Sequence, residues 1–292
     1  MWASAEKLEK YSVLTAQQFG LSSFFIGSTV IAFGTSAPEM LTTFFVSLEN
    51  KGTMVIGNVI GSNVANLSLV FGSMLLIVSF KKLDINQEKS IIPNLLILLG
   101  SSLLVWLLIA TDPFKLYASI ILLISLFLVI LFWYKNSNAT EIESLDEEQN
   151  NVFLKLLSSL IALVLAAWMI TYGANLILDR YELGQLFIGY TVLAIGTSLP
   201  EIAASVSLAL KGRYEAVSGT LIGSNIFNGL CVLAIPGLFR RPEMSFGWSY
   251  AEWSPLLLIL FLITLLFAFY IYICLLYTSP SPRDKRQSRI PS

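Results

Sequence analysis

Two glutamates stand alone inside long apolar segments of this 292-residue chain. Glu39 lies in the segment from Phe24 to Leu48, and Glu201 lies in the segment from Gly184 to Leu210. A carboxylate in the middle of an apolar membrane helix costs at least about 2.5 kcal/mol, so it persists only where it faces a partner or a water-filled cavity. A bound cation is one such partner. The alternative is a structural role, with each glutamate protonated and hydrogen-bonded to a neighbouring helix.

The two glutamates occupy matching positions of an internal repeat. Residues 27–66 align with residues 189–228 without a gap, and both copies read Gly-Thr-Ser-x-Pro-Glu and then Gly-x-x-x-Gly-Ser-Asn. Matching acids favour one shared chemical role over two unrelated structural ones. The first copy contains Gly34, Thr35, Ser36, Pro38, Glu39, Gly57, Gly61, Ser62, Asn63 and Asn66; the second contains Gly196, Thr197, Ser198, Pro200, Glu201, Gly219, Gly223, Ser224, Asn225 and Asn228.

Each motif also supplies uncharged oxygen atoms. Because proline lacks an N–H, Pro38 and Pro200 predict a kink in each helix and free the carbonyls of Gly34 and Gly196 from their usual partners. Side chains four residues apart lie one turn apart on the same helix face. Each glutamate therefore has a hydroxyl side chain one turn before it and another one turn after it. These are Thr35 and Thr43 in the first copy and Thr197 and Ser205 in the second.

The helix after each glutamate carries a second polar face. Ser62 and Asn66 are four residues apart, as are Ser224 and Asn228, so each pair lies on one helix face. Asn63 and Asn225 directly follow the two serines and lie beside these faces. Hydrogen bonding between helices is the alternative role for these side chains. The glycine pairs Gly57 with Gly61 and Gly219 with Gly223 predict close approach of this helix to the glutamate-bearing one.

Composition places the chain in a bilayer, since 55% of its residues are hydrophobic and only 13% are charged. Four uninterrupted apolar runs, each long enough for the roughly 20 residues that span a membrane, predict plain helices at 91–110, 114–134, 153–178 and 255–276. Four further apolar segments, 24–48, 54–78, 184–210 and 216–239, are interrupted by small and polar residues. The chain has no histidine, which excludes histidine triads and zinc–histidine sites, and we interpret Cys231 and Cys274 as packing residues.

An odd number of predicted helices separates the two copies, so the second copy enters the membrane in the opposite direction. The loops on one side of the membrane, which include the central acidic loop, contain nine lysine and arginine residues. The loops on the other side contain five. The excess predicts that the central loop is cytoplasmic. The net charge of −1 gives no reason to expect a nucleic-acid partner, and no protein partner is predicted.

Carboxylate, hydroxyl, amide and carbonyl oxygens are the ligands that Ca²⁺ and Na⁺ prefer, and they suit zinc or copper poorly. Two carboxylates can neutralise one divalent or two monovalent cations. Competition of two ions for one site, with access alternating between the two sides, is the physical basis of antiport. The sequence therefore predicts a transporter of Ca²⁺ and Na⁺ and no enzyme activity or prosthetic group.

The paired segments GTSAPE with GNVIGSNVAN and GTSLPE with GTLIGSNIFN resemble the two α-repeats of the sodium/calcium exchanger family, in its prokaryotic form. The resemblance implies an all-α fold of ten spanning helices in two inverted halves, and exchange by sliding of the first and sixth helices across the others. It also implies a midplane ion site. Its ligands would be Glu39, Glu201, Thr35, Thr197, Ser62, Ser224, Asn66, Asn228 and the backbone of Ala32 and Ala194, to which we add the motif residues Ser36, Ser198, Asn63 and Asn225.

The sequence departs from that family pattern in several places. Some members carry aspartate at one of the two asparagine positions, so only two carboxylates are expected in this core. Eight complete apolar helices are counted, with the first and last of the family fold missing. The segment after Cys274 is interpreted as foreign sequence, a natural basic tail being the alternative, and the connection before the second motif is shortened by about eight residues.

These observations predict a first half at 1–134, a cytoplasmic acidic linker at 135–152, a second half at 153–276 and a basic tail at 277–292. The chain is expected in a prokaryotic inner membrane, surrounded by lipid. Antiport of protons and calcium or of another pair of cations, and an inactive fragment of such a transporter, are the alternatives to sodium/calcium exchange. An intramembrane aspartyl protease is disfavoured, because no aspartate lies in the segments that carry the motifs.

Overall fold

A computed structural model describes residues 2–48, 52–81, 91–137, 151–178, 194–239 and 250–278. The regular secondary structure in these ranges is helical. The continuous helices are α1 (Trp2–Phe19), α4 (Ile92–Thr111), α5 (Leu116–Lys135), α6 (Val152–Leu178) and α9 (Tyr250–Thr278). The central acidic loop, the shortened connection before the second motif and the basic tail fall largely or wholly outside the described residues.

Four further segments are each built from several helical pieces. The glutamate-bearing segments are α2 (Ser23–Ile26, Gly27–Ile31, Ala32–Thr35 and Ala37–Leu48) and α7 (Ala194–Thr197 and Leu199–Leu210). The asparagine-bearing segments are α3 (Gly52–Ala65, Asn66–Val70 and Phe71–Lys81) and α8 (Tyr214–Leu230, Val232–Ala234 and Ile235–Phe239). The division into plain and interrupted helices predicted from the sequence is confirmed over these residues.

Helix length and surface character fit a bilayer. α4 and α5 are 20 residues each, which at 1.5 Å per residue gives about 30 Å, the thickness of the hydrocarbon core. Their outward faces expose large apolar side chains, for example Leu96 at 64% and Phe127 at 60%, which a water-soluble surface would not tolerate in such number. Six helices of the described part are long and apolar enough to span a membrane, and two more apolar helices are shorter. The chain is an integral, multi-pass membrane protein.

The interrupted helices form the inside of the bundle. In the most apolar 18-residue stretch of α8, 83% is buried, compared with 28% in the corresponding stretch of the plain helix α5. In α2 and α3 the buried share is 56%, and Phe33 and Phe45 of α2 stay exposed while the polar motif residues are buried. Burial in protein is the condition under which polar groups and broken backbone are tolerated at membrane depth.

Both glutamate-bearing helices break two residues before their proline. Ser36 has φ −81° and ψ 4°, and Ser198 has φ −79° and ψ 1°, so the two copies share one backbone geometry. A new helix then begins at Ala37 and Leu199, with proline in its first turn, where a missing N–H costs nothing. The predicted kinks are confirmed, and each break leaves a helix N-terminus inside the bundle.

Two π-helical turns were not predicted from the sequence. They lie at Gly27–Ile31 in α2 and at Asn66–Val70 in α3. The matching stretch of α8, residues 228–232, instead stays α-helical through Leu230 and is followed by a 3₁₀ turn at Val232–Ala234. Pro236 accounts for this difference, because it removes the N–H that the Val232 carbonyl would bind in a regular helix, whereas the matching residue in α3 is Met74.

The predicted close approach at Gly219 and Gly223 is present, and it joins the two halves of the molecule. A Cβ atom at Gly219 would lie 2.5 Å from the Phe24 carbonyl oxygen, and one at Gly223 would overlap the Ser28 backbone. Both contacts are made by α2, the glutamate-bearing helix of the opposite half. The glycine spacing predicted that α8 approaches a glutamate-bearing helix closely, but it did not predict that this helix is α2 of the opposite half.

The first helix and the sixth pack side by side. α1 lies along α6 and also contacts α7, and Tyr11 of α1 has the Lys10 and Lys155 ammonium groups 6.0 Å and 5.9 Å from its ring centre. α6 in turn contacts both pieces of α2 around its break. There, the Leu160 side chain fills the space that a Cβ at Gly34 would need.

Candidate ion site

The broken helices place both glutamates at the same kind of position. Glu39 and Glu201 lie in the first turn of the helices that restart after Ser36 and Ser198. Their side chains are 0% and 1% exposed, so neither carboxylate reaches the surface of the bundle. The positive end of each helix dipole partly offsets the cost of burying a negative charge there.

One oxygen cluster surrounds Glu39. The hydroxyls of Ser62 on α3 and Thr197 on α7 are 3.3 Å apart, and both lie close to the Glu39 carboxylate. Neither Glu39 oxygen, however, accepts a hydrogen bond of normal geometry. Glu39 and Ser62 belong to the first half and Thr197 to the second, so this cluster, here called cluster A, is assembled across the two halves.

A second oxygen cluster surrounds Glu201. The hydroxyls of Thr35 on α2 and Ser224 on α8 are 3.4 Å apart, and Ser36 donates a hydrogen bond of 3.3 Å to Glu201 Oε1. Glu201 and Ser224 belong to the second half, and Thr35 and Ser36 belong to the first. This cluster, cluster B, is therefore also assembled across the halves.

The two clusters are related by the repeat. Thr35 contacts Ser224, while its counterpart Thr197 contacts Ser62, the counterpart of Ser224. Such reciprocal pairing is what a two-fold axis between the halves produces. The contacts thus fit a two-fold relation between the two halves of the repeat.

The symmetry fails at one pair of hydroxyls. Ser36 donates to Glu201, but the hydroxyl of its counterpart Ser198 has no hydrogen-bond partner. Glu201 consequently accepts one hydrogen bond across the halves that Glu39 lacks. The two glutamates are chemically similar but not equivalent.

This asymmetry gives a prediction. Ser36→Ala removes a hydrogen bond to a carboxylate, which contributes about 1.5 kcal/mol or more, so we expect about a tenfold loss of Ca²⁺ affinity. Ser198→Ala removes a hydroxyl without such a bond and should weaken affinity less than about twofold. Isothermal titration of the purified variants measures both. Equal losses in the two variants would show that the hydrogen bond has no part in ion binding.

The asparagines divide into two kinds. Asn66 and Asn228 are fully buried, and neither amide oxygen nor amide nitrogen of either side chain has a hydrogen-bond partner. Asn63 instead donates to the Asn225 carbonyl at 3.2 Å, and Asn225 donates to the Leu221 carbonyl at 2.7 Å. Asn63 thus ties α3 to the backbone of α8, in keeping with the hydrogen-bonding alternative, whereas the Asn225 side chain binds within its own helix. The Oδ1 atoms of both side chains stay unpaired.

The backbone ligands inferred from the resemblance are only partly described. The Ala32 carbonyl accepts hydrogen bonds from the Ser36 N–H at 3.0 Å and from the Thr35 hydroxyl at 3.3 Å. The Ala32 carbonyl therefore retains an ordinary helix partner, the Ser36 N–H, whereas Pro38 acts on the carbonyl of Gly34, four residues before it. Ala194 is the first described residue of α7.

Buried oxygens with no hydrogen bond are concentrated in this region. An unsatisfied buried polar group costs about 1–3 kcal/mol, so a native protein keeps several together only where something else binds them. No cluster of three or more histidine, cysteine, aspartate or glutamate side chains occurs in the described part of the chain. The donor set is therefore two carboxylates with neutral oxygens, which suits Ca²⁺ and Na⁺. The unpaired oxygens include Glu39 Oε1 and Oε2, Glu201 Oε2 and the Oδ1 atoms of Asn63, Asn66, Asn225 and Asn228.

Comparison with known proteins agrees with this chemistry. The chain matches the sodium/calcium exchanger protein family over residues 1–135 and 151–292. It is 35% identical to an uncharacterised membrane protein of Methanocaldococcus jannaschii, with 84% of this chain and 81% of that protein covered. It is 30% identical to the inner membrane protein YrbG of Escherichia coli, with 90% and 84% covered. It is 27% identical to the sodium/calcium exchanger MaX1 of Methanosarcina acetivorans, with 86% and 90% covered.

Solved structures give the same answer for the fold. The chain is similar to the sodium-calcium exchanger NCX_Mj soaked with Na⁺ and Sr²⁺, with a TM-score of 0.74 and 28% identity over 92% of this chain and 86% of that one. The fold class inferred from the motif pair is thus confirmed. The chain belongs to the sodium/calcium exchanger family of membrane cation antiporters.

Proposed function

We propose that this protein exchanges Ca²⁺ for Na⁺ across a membrane by alternating access. The observation that carries the proposal is the pair of buried glutamates, each set in a hydroxyl cluster that both halves of the molecule build. Clusters A and B together with Asn66 and Asn228 would bind the transported ions.

The charge of the site explains how the two ions compete. Two carboxylates balance one Ca²⁺ or two Na⁺, so one Ca²⁺ can replace two Na⁺ at the glutamates with no net charge left in the bundle. Leaving an uncompensated charge there would cost several kcal/mol. The names of the relatives MaX1 and NCX_Mj support this choice of ions.

Both clusters contain residues from both halves of the molecule, and this arrangement provides a structural basis for alternating access of ions to the site. A shift of one set of helices against the other would change which oxygens meet at each glutamate. α6 is placed for such a shift, since it lies across the break of α2 and packs along α1. We infer that α6, with α1 packed along it, slides over the broken helices and opens the site to each side in turn.

We further propose that the protein resides in a prokaryotic inner membrane with the central acidic loop in the cytoplasm. Support comes from the excess of lysine and arginine in the loops on that side, nine against five. The turn between α2 and α3 would then face the outside.

The exchange itself can be measured in proteoliposomes. Vesicles loaded with Na⁺ and diluted into Na⁺-free buffer should take up ⁴⁵Ca²⁺, whereas vesicles loaded with choline should not. A proton gradient imposed in choline should give no uptake, because the proposed counter-ion is Na⁺. Uptake driven by the proton gradient alone would replace this proposal with proton/calcium antiport, and no uptake under any gradient would contradict both.

A further inference from the structure

The oxygen atoms of the site continue beyond the two clusters along α2 and α3. On α2, Thr35 contributes to cluster B, Glu39 to cluster A, and Thr43 follows one turn later. On α3, Asn58 precedes Ser62 of cluster A by four residues, which is again one turn. The two helices therefore present a third level of polar side chains, displaced from cluster A toward the turn that joins them.

The third level is buried and incompletely paired. Asn58 Nδ2 donates a long hydrogen bond of 3.5 Å to Thr43 Oγ1, and the two side chains are 1% and 0% exposed. Asn58 Oδ1 has no hydrogen-bond partner. Ser47, one turn further along α2 and 3% exposed, donates to the Thr43 carbonyl at 2.5 Å. An amide oxygen and a hydroxyl thus lie together in the core with coordination capacity to spare.

The second half lacks an equivalent of this pair. The counterpart of Asn58 is Thr220, whose hydroxyl donates to the Ala216 carbonyl of its own helix at 2.8 Å. The counterpart of Thr43 is Ser205, whose hydroxyl has no partner, but no amide oxygen faces it from the Thr220 position. General stabilisation of the repeat fold does not require an unpaired amide here, because the second half does without one.

We propose that Thr43 and Asn58 form a neutral cation station about 6 Å outside cluster A, the distance of one helical turn. A Ca²⁺ or Na⁺ ion would bind there briefly as it passes between Glu39 and the α2–α3 turn. The inference rests on the proposed function. Uncharged oxygens give weak binding, and an intermediate site in a permeation path must be weak enough to release its ion.

The station has a kinetic signature that distinguishes it from the central site. Asn58→Leu keeps the side-chain volume close and removes the oxygen, so Ca²⁺ association and dissociation should both slow by about tenfold while the dissociation constant changes less than about twofold. Stopped-flow tryptophan fluorescence, with Ca²⁺ mixed in or removed by a chelator, measures both rates in detergent. Asn58→Gln, which keeps a neutral amide oxygen in this part of α3, should retain rates within about threefold of the unaltered protein.

Thr220→Val is the matched control, because it removes the hydroxyl at the counterpart position that is already bound within its own helix. Its rates should not change. The station is refuted if Asn58→Leu leaves both rates unaltered, if its affinity falls by the same factor as its association rate, or if Thr220→Val slows both rates equally. The stopped-flow experiment measures Ca²⁺ binding without a counter-ion. A failure of Na⁺-driven uptake in vesicles would therefore count against the proposed function, while the rates measured here would still test the station.

Discussion

Glu39→Gln and Glu201→Gln are each expected to lower Na⁺-driven Ca²⁺ uptake by at least about 100-fold. Glutamine has almost the same volume, so the change removes charge and little else. A dication held by one buried carboxylate is under-compensated, and breaking a buried charge pair costs about 3–5 kcal/mol. At 1.4 kcal/mol for each factor of ten, that cost corresponds to a loss of two orders of magnitude or more. Uptake of ⁴⁵Ca²⁺ into proteoliposomes measures it.

Glu6→Gln provides the control for this prediction. Glu6 lies on the exposed face of α1, so the loss of its charge should leave uptake within about twofold. Size-exclusion profiles would establish that all three variants fold. Uptake by folded Glu39→Gln or Glu201→Gln at the unaltered rate would mean that the glutamates are structural, which is the alternative left open by the sequence.

The two substitutions are also expected to differ from each other. Glu201 accepts a hydrogen bond from Ser36, whereas Glu39 accepts none. In Glu39→Gln the remaining carboxylate keeps that partner, while in Glu201→Gln the Ser36 hydroxyl faces a neutral amide. The residual Ca²⁺ affinity should therefore be lower in Glu201→Gln, although both variants lose transport.

Features set by local chemistry could be predicted from the sequence. Proline chemistry placed the breaks, which occur at Ser36 and Ser198, and apolar run length placed α4 and α5 to within two residues. The repeat identified the two glutamates as a pair. In each case the information lies within a few residues of the feature, so no knowledge of the three-dimensional arrangement is needed.

Features set by contact between the halves could not be predicted. Spacing places Thr35 one turn from Glu39, yet the Thr35 hydroxyl faces Ser224 and Glu201 of the other half. The helix breaks at Ser36, between Thr35 and Glu39, so the two side chains need not share a helix face, and only the packed bundle decides what each one meets. α1 was likewise not counted as a helix, because its sequence is not apolar and it is stabilised by packing on α6. The four-residue spacing of Asn58 from Ser62 is a signal in the sequence that places both side chains on one face of α3.

Gly223→Leu is expected to abolish transport without altering any proposed ion ligand. A Cβ at this position would overlap the Ser28 backbone and lie 2.7 Å from the Ala32 side chain. Since backbone atoms of a packed helix cannot move aside cheaply, α8 must shift away from α2. Ser224, the next residue, would move with it and lose its 3.4 Å contact with Thr35 in cluster B. Overpacking of this kind costs about 1–3 kcal/mol even for small insertions.

Gly223→Ala and Gly100→Ala separate loss of the site from general instability. The single added methyl of Gly223→Ala should lower the unfolding temperature and weaken Ca²⁺ affinity about tenfold, because it already meets the Ser28 backbone. Gly100 in α4 has open space at the Cβ position, so Gly100→Ala should lower neither the unfolding temperature nor the Ca²⁺ affinity. Thermal unfolding and Ca²⁺ titration of the two variants give the comparison. Normal Ca²⁺ affinity in Gly223→Ala would show that ion binding at cluster B does not depend on the distance between α2 and α8. The ion site would then have to be assigned to cluster A alone.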